Sequence, residues 1–396
     1  MVKSSVAAQC PDFDPRSVMG DADLSRLPRL VPMAVAAARE AMAQAGIATG
    51  DSLDLERSRS IGVILGTGAG GIDFTLEQSE GYHARGIRPS LWTITNATHG
   101  NLAGELSIRL GLRGPSWCVS TGCASALDAL GMAIWRLRAE AAGPSDEDSL
   151  QGFIVVGADA HVRWETLYGM ELLRVISTRD WAAAGIDPAT ASRPFDQSRD
   201  GFILGEGAWA VVIERAHDAE PSSDRSVPPI AEVLGYGATC DAFHRVRPAP
   251  DMAESARAMR LAIRDAGLTP DDIELIHYHG TATRLNDQLE TAAVKLAFGP
   301  HAPRLRGTSV KGMLGHPQGA CGLASLVATV AALTSPGIRP FIPPTINLHD
   351  PDLACGCDLD YTPRCAVETD GRTALINCLA FGAKNTAVVV RAGDSA

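Results

Sequence analysis

Apolar positions recur along this chain with two different periods. Residues 61–65, 117–119 and 273–278 are apolar almost throughout and read as strands. Between them lie helical patterns. Residues 36–46 and 256–267 each end in Ala-Gly, Leu127, Leu130, Ile134 and Leu137 form one stripe that Gly143-Pro144 stops, and residues 323–333 form an apolar helix. Strands alternating with helices predict an α/β fold of parallel sheets covered on both faces. Helix, Ala-Gly stop, strand and small-residue loop occur twice, which predicts an internal duplication. The polar, proline-containing stretch 220–229 reads as the loop joining the copies.

Composition narrows the class. With 396 residues, 45% hydrophobic and 20% charged, the chain can bury a large core, as two domains or one double unit. No apolar stretch reaches transmembrane length and no secretory leader pattern opens the chain, so neither a membrane nor export is indicated. Nine cysteines, an odd number without paired spacing, fit reduced thiols in a cytoplasm. Cys355-Gly356-Cys357 is too isolated to read as a zinc site, and no metal is expected. A net charge of −11 argues against nucleic acid as a partner.

The candidate chemistry lies where apolar runs break into small residues. Cys123, in Ser120-Thr121-Gly122-Cys123-Ala124-Ser125, falls at a helix start, where unpaired N–H groups and the helix dipole favour a thiolate. A buried structural cysteine is the alternative, and its partners decide between the two. His279 ends the strand 273–278 in His279-Gly280-Thr281-Ala282-Thr283. His316 closes Lys311-Gly312-Met313-Leu314-Gly315-His316 and leads into Gly319-Ala320-Cys321-Gly322. One cysteine and two histidines at three strand-to-loop junctions suit nucleophilic catalysis.

These motifs, with Ser192-Arg193-Pro194-Phe195-Asp196, Arg199-Asp200-Gly201-Phe202, Gly205-Glu206-Gly207 and Phe381-Gly382, make the chain resemble an elongating β-ketoacyl-[acyl carrier protein] synthase of the thiolase-like group. The resemblance runs from about Phe13 to Val390. It implies a five-layer αβαβα fold of two pseudo-twofold halves, here 1–218 carrying the nucleophile and 219–396 carrying the histidines. It implies decarboxylative Claisen condensation in fatty acid or polyketide synthesis, with no bound cofactor and with substrates carried on the phosphopantetheine of an acyl carrier protein. The assembly it implies is a homodimer or a heterodimer with a chain-length-factor-type subunit. By similarity, Cys123 carries the acyl chain, and the N–H groups of Cys123 and Phe381 form the oxyanion hole, with Phe381 gating. His279 and His316, neutral and donating from Nε2, stabilise the enolate. Lys311 orders the second histidine or pairs with Glu290 or Glu206; Asp287 supports the site. Thr281 and Thr283 hold the pantetheine arm or cap their own backbone. Arg85, Arg88 and Arg199 are candidates for docking the acidic carrier.

Departures and rivals temper this expectation. Family members open with an apolar strand and a Thr-Gly-x-Gly turn, whereas residues 1–20 here are polar and irregular. That strand lies in the first half's sheet, so its absence predicts unsatisfied ladder groups or an open edge. Ala383 and Lys384 replace Gly and Thr of the usual Gly-Phe-Gly-Gly-Thr-Asn, and Ala282 departs from the histidine motif. Gly66-Thr67-Gly68-Ala69-Gly70-Gly71 fits the dinucleotide fingerprint, but no second strand ending in an acid follows at the expected distance. A non-catalytic chain-length-factor type lacks the nucleophile that stands here at Cys123. A thiolase would suit Gly315-His316-Pro317, but Lys311 and the His279 motif favour decarboxylative condensation.

Overall fold

A computed structural model describes residues 2–141, 149–181, 183, 185–216 and 227–393. The expected stop at Gly143-Pro144, residues 220–226 of the expected joining loop and the 218/219 boundary lie outside the described residues.

Two main sheets organise the chain. The first has strands β1 (Ile61–Gly66), β2 (Ser116–Val119), β3 (Gly152–Asp159) and β4 (Gly207–Glu214) in the order β2-β1-β3-β4. The second uses β5 (Ala231–Cys240), β6 (Leu275–His277) and β7 (Arg306–Thr308). A two-stranded ribbon of β8 (Phe341–Ile342) and β9 (Val367–Glu368) precedes its last members, β10 (Thr373–Ala380) and β11 (Lys384–Ala392). The second order is β5-β11-β10-β6-β7.

The two sheets share one topology. In each, three strands run parallel (β2, β1, β3 and β7, β6, β10) and the next is antiparallel (β4 and β11). They are therefore mixed, not wholly parallel as the sequence pattern suggested. In the second sheet the reason is local: only three residues, 381–383, connect β10 to β11, and so short a turn can join only antiparallel strands.

The duplication extends to the helix ends. Helix Leu30–Gln44 stops at Gly46, whose φ is 69°, and Ile47 N–H reaches back to the Met42 carbonyl at 2.8 Å. Helix Ala253–Asp265 stops at Gly267 with φ 70°, and Leu268 N–H reaches the Ile263 carbonyl at 3.0 Å. Both are six-to-one closures that need a left-handed residue, which is why Ala-Gly recurs.

Five layers follow from which strand faces are apolar. Ile64 and Val155 of the first sheet and Ile376 and Val388 of the second face a shared core with helices Ser125–Ala141 and Cys321–Thr334. Their neighbours Val63, Leu65, Ile154 and Val156 pack outward against Leu30–Gln44 and His99–Leu110. Ile276, Leu375 and Val389 pack outward against Ala253–Asp265 and Arg284–Phe298. Burial on both faces explains why these strands read as continuous apolar runs.

Among the described residues, the named strands of the first sheet end at β4, whereas the second carries β5 beyond β11. Residues 2–14 dock elsewhere: Ala8 N–H donates to the Leu204 carbonyl at 2.8 Å, and Glu206 N–H to the Ala8 carbonyl at 3.0 Å. Among the described residues, no helix is long and apolar enough to cross a membrane.

Candidate active site

Cys123 stands one turn before helix Ser125–Ala141, directly after β2. Gly122 makes the turn at φ 63°, and a Cβ there would lie 3.3 Å from the Phe381 carbonyl oxygen. The glycine thus lets the nucleophile turn approach the loop after β10. Ser125 fixes the turn from below, accepting from Thr121 N–H at 2.9 Å and donating to the Gly122 carbonyl at 2.6 Å.

Both histidines converge on this cysteine. His316 Nε2 lies 3.2 Å from Cys123 Sγ, and the His279 and His316 rings meet edge to face with centroids 5.3 Å apart. Cys123, His279 and His316 are all buried. The Phe381 backbone N–H acts on the Cys123 thiol in the direction that favours its ionised form. Phe381 itself is half-buried. Its loop is pinned by Gly382 N–H to the Arg245 carbonyl and Asp241 N–H to the Ala383 carbonyl, both 2.8 Å. Ala383, where the family has glycine, takes φ 63°, a conformation costing a non-glycine residue about 1–2 kcal/mol.

The electrostatics corrects one expectation. Burial, above all, pushes the Cys123 thiol well above its ordinary range, while the Lys311 charge and the Phe381 N–H pull the other way. Cys123 therefore rests as a thiol, because a closed pocket outweighs one helix end. Desolvation and then Lys311 push His279 down to about 3, and desolvation also lowers His316. Both imidazoles are neutral at physiological pH.

The supporting residues are more divided than the sequence implied. Glu290 is fully buried and accepts from His279 N–H (2.6 Å), Gly280 N–H (2.8 Å) and Asn377 Nδ2 (2.6 Å), with Asn286 Nδ2 at 3.3 Å. Asp287 accepts from Thr281 N–H at 3.0 Å and Phe195 N–H at 2.8 Å. These two carboxylates fold the His279 turn. Lys311 pairs with neither Glu290 nor Glu206: its ammonium donates to the His279 carbonyl at 2.6 Å, and Glu206 pairs with Arg29 at 2.9 Å. Thr283 accepts from Asn286 N–H at 3.3 Å as a helix cap, and its hydroxyl meets that of Thr281 at 3.0 Å.

Arg199 is a clear correction. It is fully buried, bridges Asp287 (3.4 Å) and Asp352 (2.7 Å), and so cannot dock a partner. Arg85 and Arg88 are exposed, at and just beyond the end of helix Ile72–Arg85.

Several site residues escaped the sequence reading. Asp159, fully buried at the end of β3, accepts from Thr67 Oγ1 (2.8 Å), Gly68 N–H (2.9 Å), Ala69 N–H (3.0 Å) and Gly319 N–H (2.7 Å). It ties the glycine turn after β1 to the loop after His316. It also occupies the amides that a dinucleotide phosphate would need, which removes the fingerprint reading. Its signal was an acid ending an apolar strand. Asn377 and Cys378 line the same centre without any local motif to mark them, and Cys321, though inside the small-residue run after His316, carried no assigned role.

Comparisons with known proteins agree. Residues 3–219 match the β-ketoacyl synthase N-terminal domain and residues 230–349 the β-ketoacyl synthase C-terminal domain. The 3-oxoacyl-[acyl-carrier-protein] synthase 2 of Coxiella burnetii is 33% identical over 388 residues, covering 98% of this chain and 87% of that protein. The ishigamide ketosynthase/chain length factor superposes with a TM-score of 0.84 at 29% identity, covering 99% of this chain and 89% of the other. A type II polyketide ketosynthase solved with its acyl-carrier protein, AntDE:AntF, gives 0.83 at 25% identity with the same coverages. With a buried Cys-His-His centre on a duplicated five-layer fold, and matched along nearly its whole length, the chain belongs to the β-ketoacyl synthase family and is an acyltransferase of that family.

Proposed function

We propose that Cys123 takes an acyl group from a carrier-bound thioester and that His279 and His316 then drive decarboxylative condensation with malonyl carrier protein. The observation that carries this reading is the 3.2 Å approach of neutral His316 Nε2 to the Cys123 thiol. As the sulfur attacks the acyl carbonyl, its proton passes to His316, and the oxyanion falls to the N–H groups of Cys123 and Phe381. Collapse expels the pantetheine thiol, which takes the proton back from His316. Malonyl then loses carbon dioxide, and its electron pair becomes an enolate whose oxygen the His279 Nε2–H stabilises; His316, left with its ring proton on Nδ1, joins it once that proton exchanges to Nε2. The enolate carbon attacks the acyl–Cys123 thioester, the C–S bond breaks, and the released Cys123 sulfur takes one proton from solvent to return to the thiol. The Lys311 charge serves this step by keeping His279 neutral.

Thr281 and Thr283 lie on the arm's expected path, and Thr283 keeps its capping role alongside. The acidic chain needs a local basic patch to meet an acidic carrier, and exposed Arg85 and Arg88 supply one. Nine free cysteines support a reducing, cytoplasmic setting. The presence of the nucleophile favours catalysis over a chain-length-factor role.

The test is intact-mass analysis after incubation with acyl carrier proteins bearing different chains. Wild type should gain one acyl mass and Cys123→Ala none. Undiminished loading of the variant would overturn the assignment.

A further inference from the structure

Two thiols of this centre have no part in the acyl transfer just described. Cys321 begins helix Cys321–Thr334, Cys378 lies in β10, and both are buried. Their sulfurs are 3.8 Å apart, and Cys378 Sγ is 3.5 Å from His279 Nδ1. The ligand atoms of His279, Cys321 and Cys378 all lie within 4.8 Å of one another.

These lengths have a meaning in coordination chemistry. With Zn–S of about 2.3 Å and Zn–N of about 2.0–2.1 Å, a tetrahedral zinc holds two sulfurs about 3.8 Å apart and a sulfur and a nitrogen about 3.5 Å apart. Two edges of the Cys321–Cys378–His279 triangle already have those values. We propose that Cys321, Cys378 and His279 form a binding site for one borderline-soft divalent cation, Zn2+ or its analogue Co2+, with the fourth position left to water.

Two thiolates and an imidazole select such an ion over Mg2+ or Ca2+, which prefer oxygen ligands. The balance is simple. A hydrated dication enters, the two thiols release two protons to solvent, and neutral His279 gives a lone pair; no electron changes hands. The charge added is +2 against −2, so the site stays neutral beside Lys311, which bonds the His279 carbonyl at 2.6 Å. Because binding releases thiol protons, affinity should fall as pH is lowered. Among the described residues, the other grouping of this kind, Cys123 with His279 and His316, uses the nucleophile itself. The inference does not depend on the condensing role proposed for His279.

Freshly reduced protein, kept anaerobic and free of substrate, is titrated with Co2+ and then with Zn2+. One equivalent of cobalt should give a thiolate-to-metal charge-transfer band, and zinc should remove it. Cys321→Ala and Cys378→Ser should each weaken zinc binding by about a hundredfold, whereas Cys123→Ser and Cys357→Ser should keep the band. Should the alanine variant not fold, Cys321→Ser, nearly isosteric, gives the same expected loss. A missing band in wild type, or one that survives in both the Cys321 and Cys378 variants, overturns the site. A band lost only in Cys123→Ser assigns the metal to the nucleophile and overturns it too. Neither failure touches the acyl-transfer reading, which the mass assay tests separately.

Discussion

Replacing Arg199 with Met separates a scaffold arginine from a docking one. The guanidinium has no exposed surface, pairs with Asp287 at 3.4 Å and Asp352 at 2.7 Å, and donates to the Asp196 carbonyl at 2.9 Å and the Arg284 carbonyl at 3.2 Å. Methionine keeps much of the volume and removes the charge, which leaves Asp287 buried without its counter-ion. Removing one partner of a buried ion pair costs about 3–5 kcal/mol. At about 2 °C per kcal/mol for a chain of this size, Tm should fall by about 6–10 °C. The loss should grow with pH. Burial already raises the Asp287 pKa and Arg199 opposes it, so the folded-state value rises further in the variant. A raised folded pKa means stability that is present below the unfolded carboxylate range and lost as pH rises through the folded value. Because Asp287 also holds Thr281 N–H and Phe195 N–H, turnover should drop with carrier-bound and small pantetheine substrates alike. Urea unfolding at two salt concentrations and parallel kinetics on both substrates measure this. A stability loss under about 1 kcal/mol, with a salt-dependent rise in KM confined to the carrier substrate, would refute the reasoning.

Three further outcomes follow from the site. His316→Ala should slow both Cys123 acylation and malonyl decarboxylation, whereas His279→Ala should spare acylation and cut carbon dioxide release about a hundredfold or more; normal carbon dioxide release and condensation by either variant contradicts the roles. Reversing Arg85 and Arg88 to Glu should raise KM for carrier-bound substrate, with the loss shrinking as salt screens charges over about 8 Å; equal losses with a small thioester would show a structural role instead. Burial raises Glu290 to about 7, so its contribution is present below the ordinary carboxylate range and lost as pH rises through about 7. That loss is on the order of 3 kcal/mol, and Glu290→Gln should flatten it in urea midpoints taken across that window; an unchanged slope would remove Glu290 as its source.

The sequence by itself determined the elements and the reacting groups. Continuous apolar runs marked β1 and β6, repeated Ala-Gly stops marked the duplication, and the small-residue turns around Cys123, His279 and His316 marked the centre, because each is a local demand on backbone and packing. Tertiary structure decided what depends on distance in space. Whether Cys123 is a thiol or a thiolate turns on burial, which one helix start cannot report. Arg199 reads as a surface arginine in a polar motif, and only the approach of Asp287 and Asp352, residues far along the chain, makes it a scaffold. The glycine turn after β1 fits a phosphate cradle until Asp159 from β3 fills its amides. Cys321 and Cys378, separated by 57 positions, become neighbours because helix Cys321–Thr334 packs between two sheets while β10 lies in one of them. Local chemistry is written in residue order; charge state, ion pairing and ligand geometry arise only when the two halves close on each other.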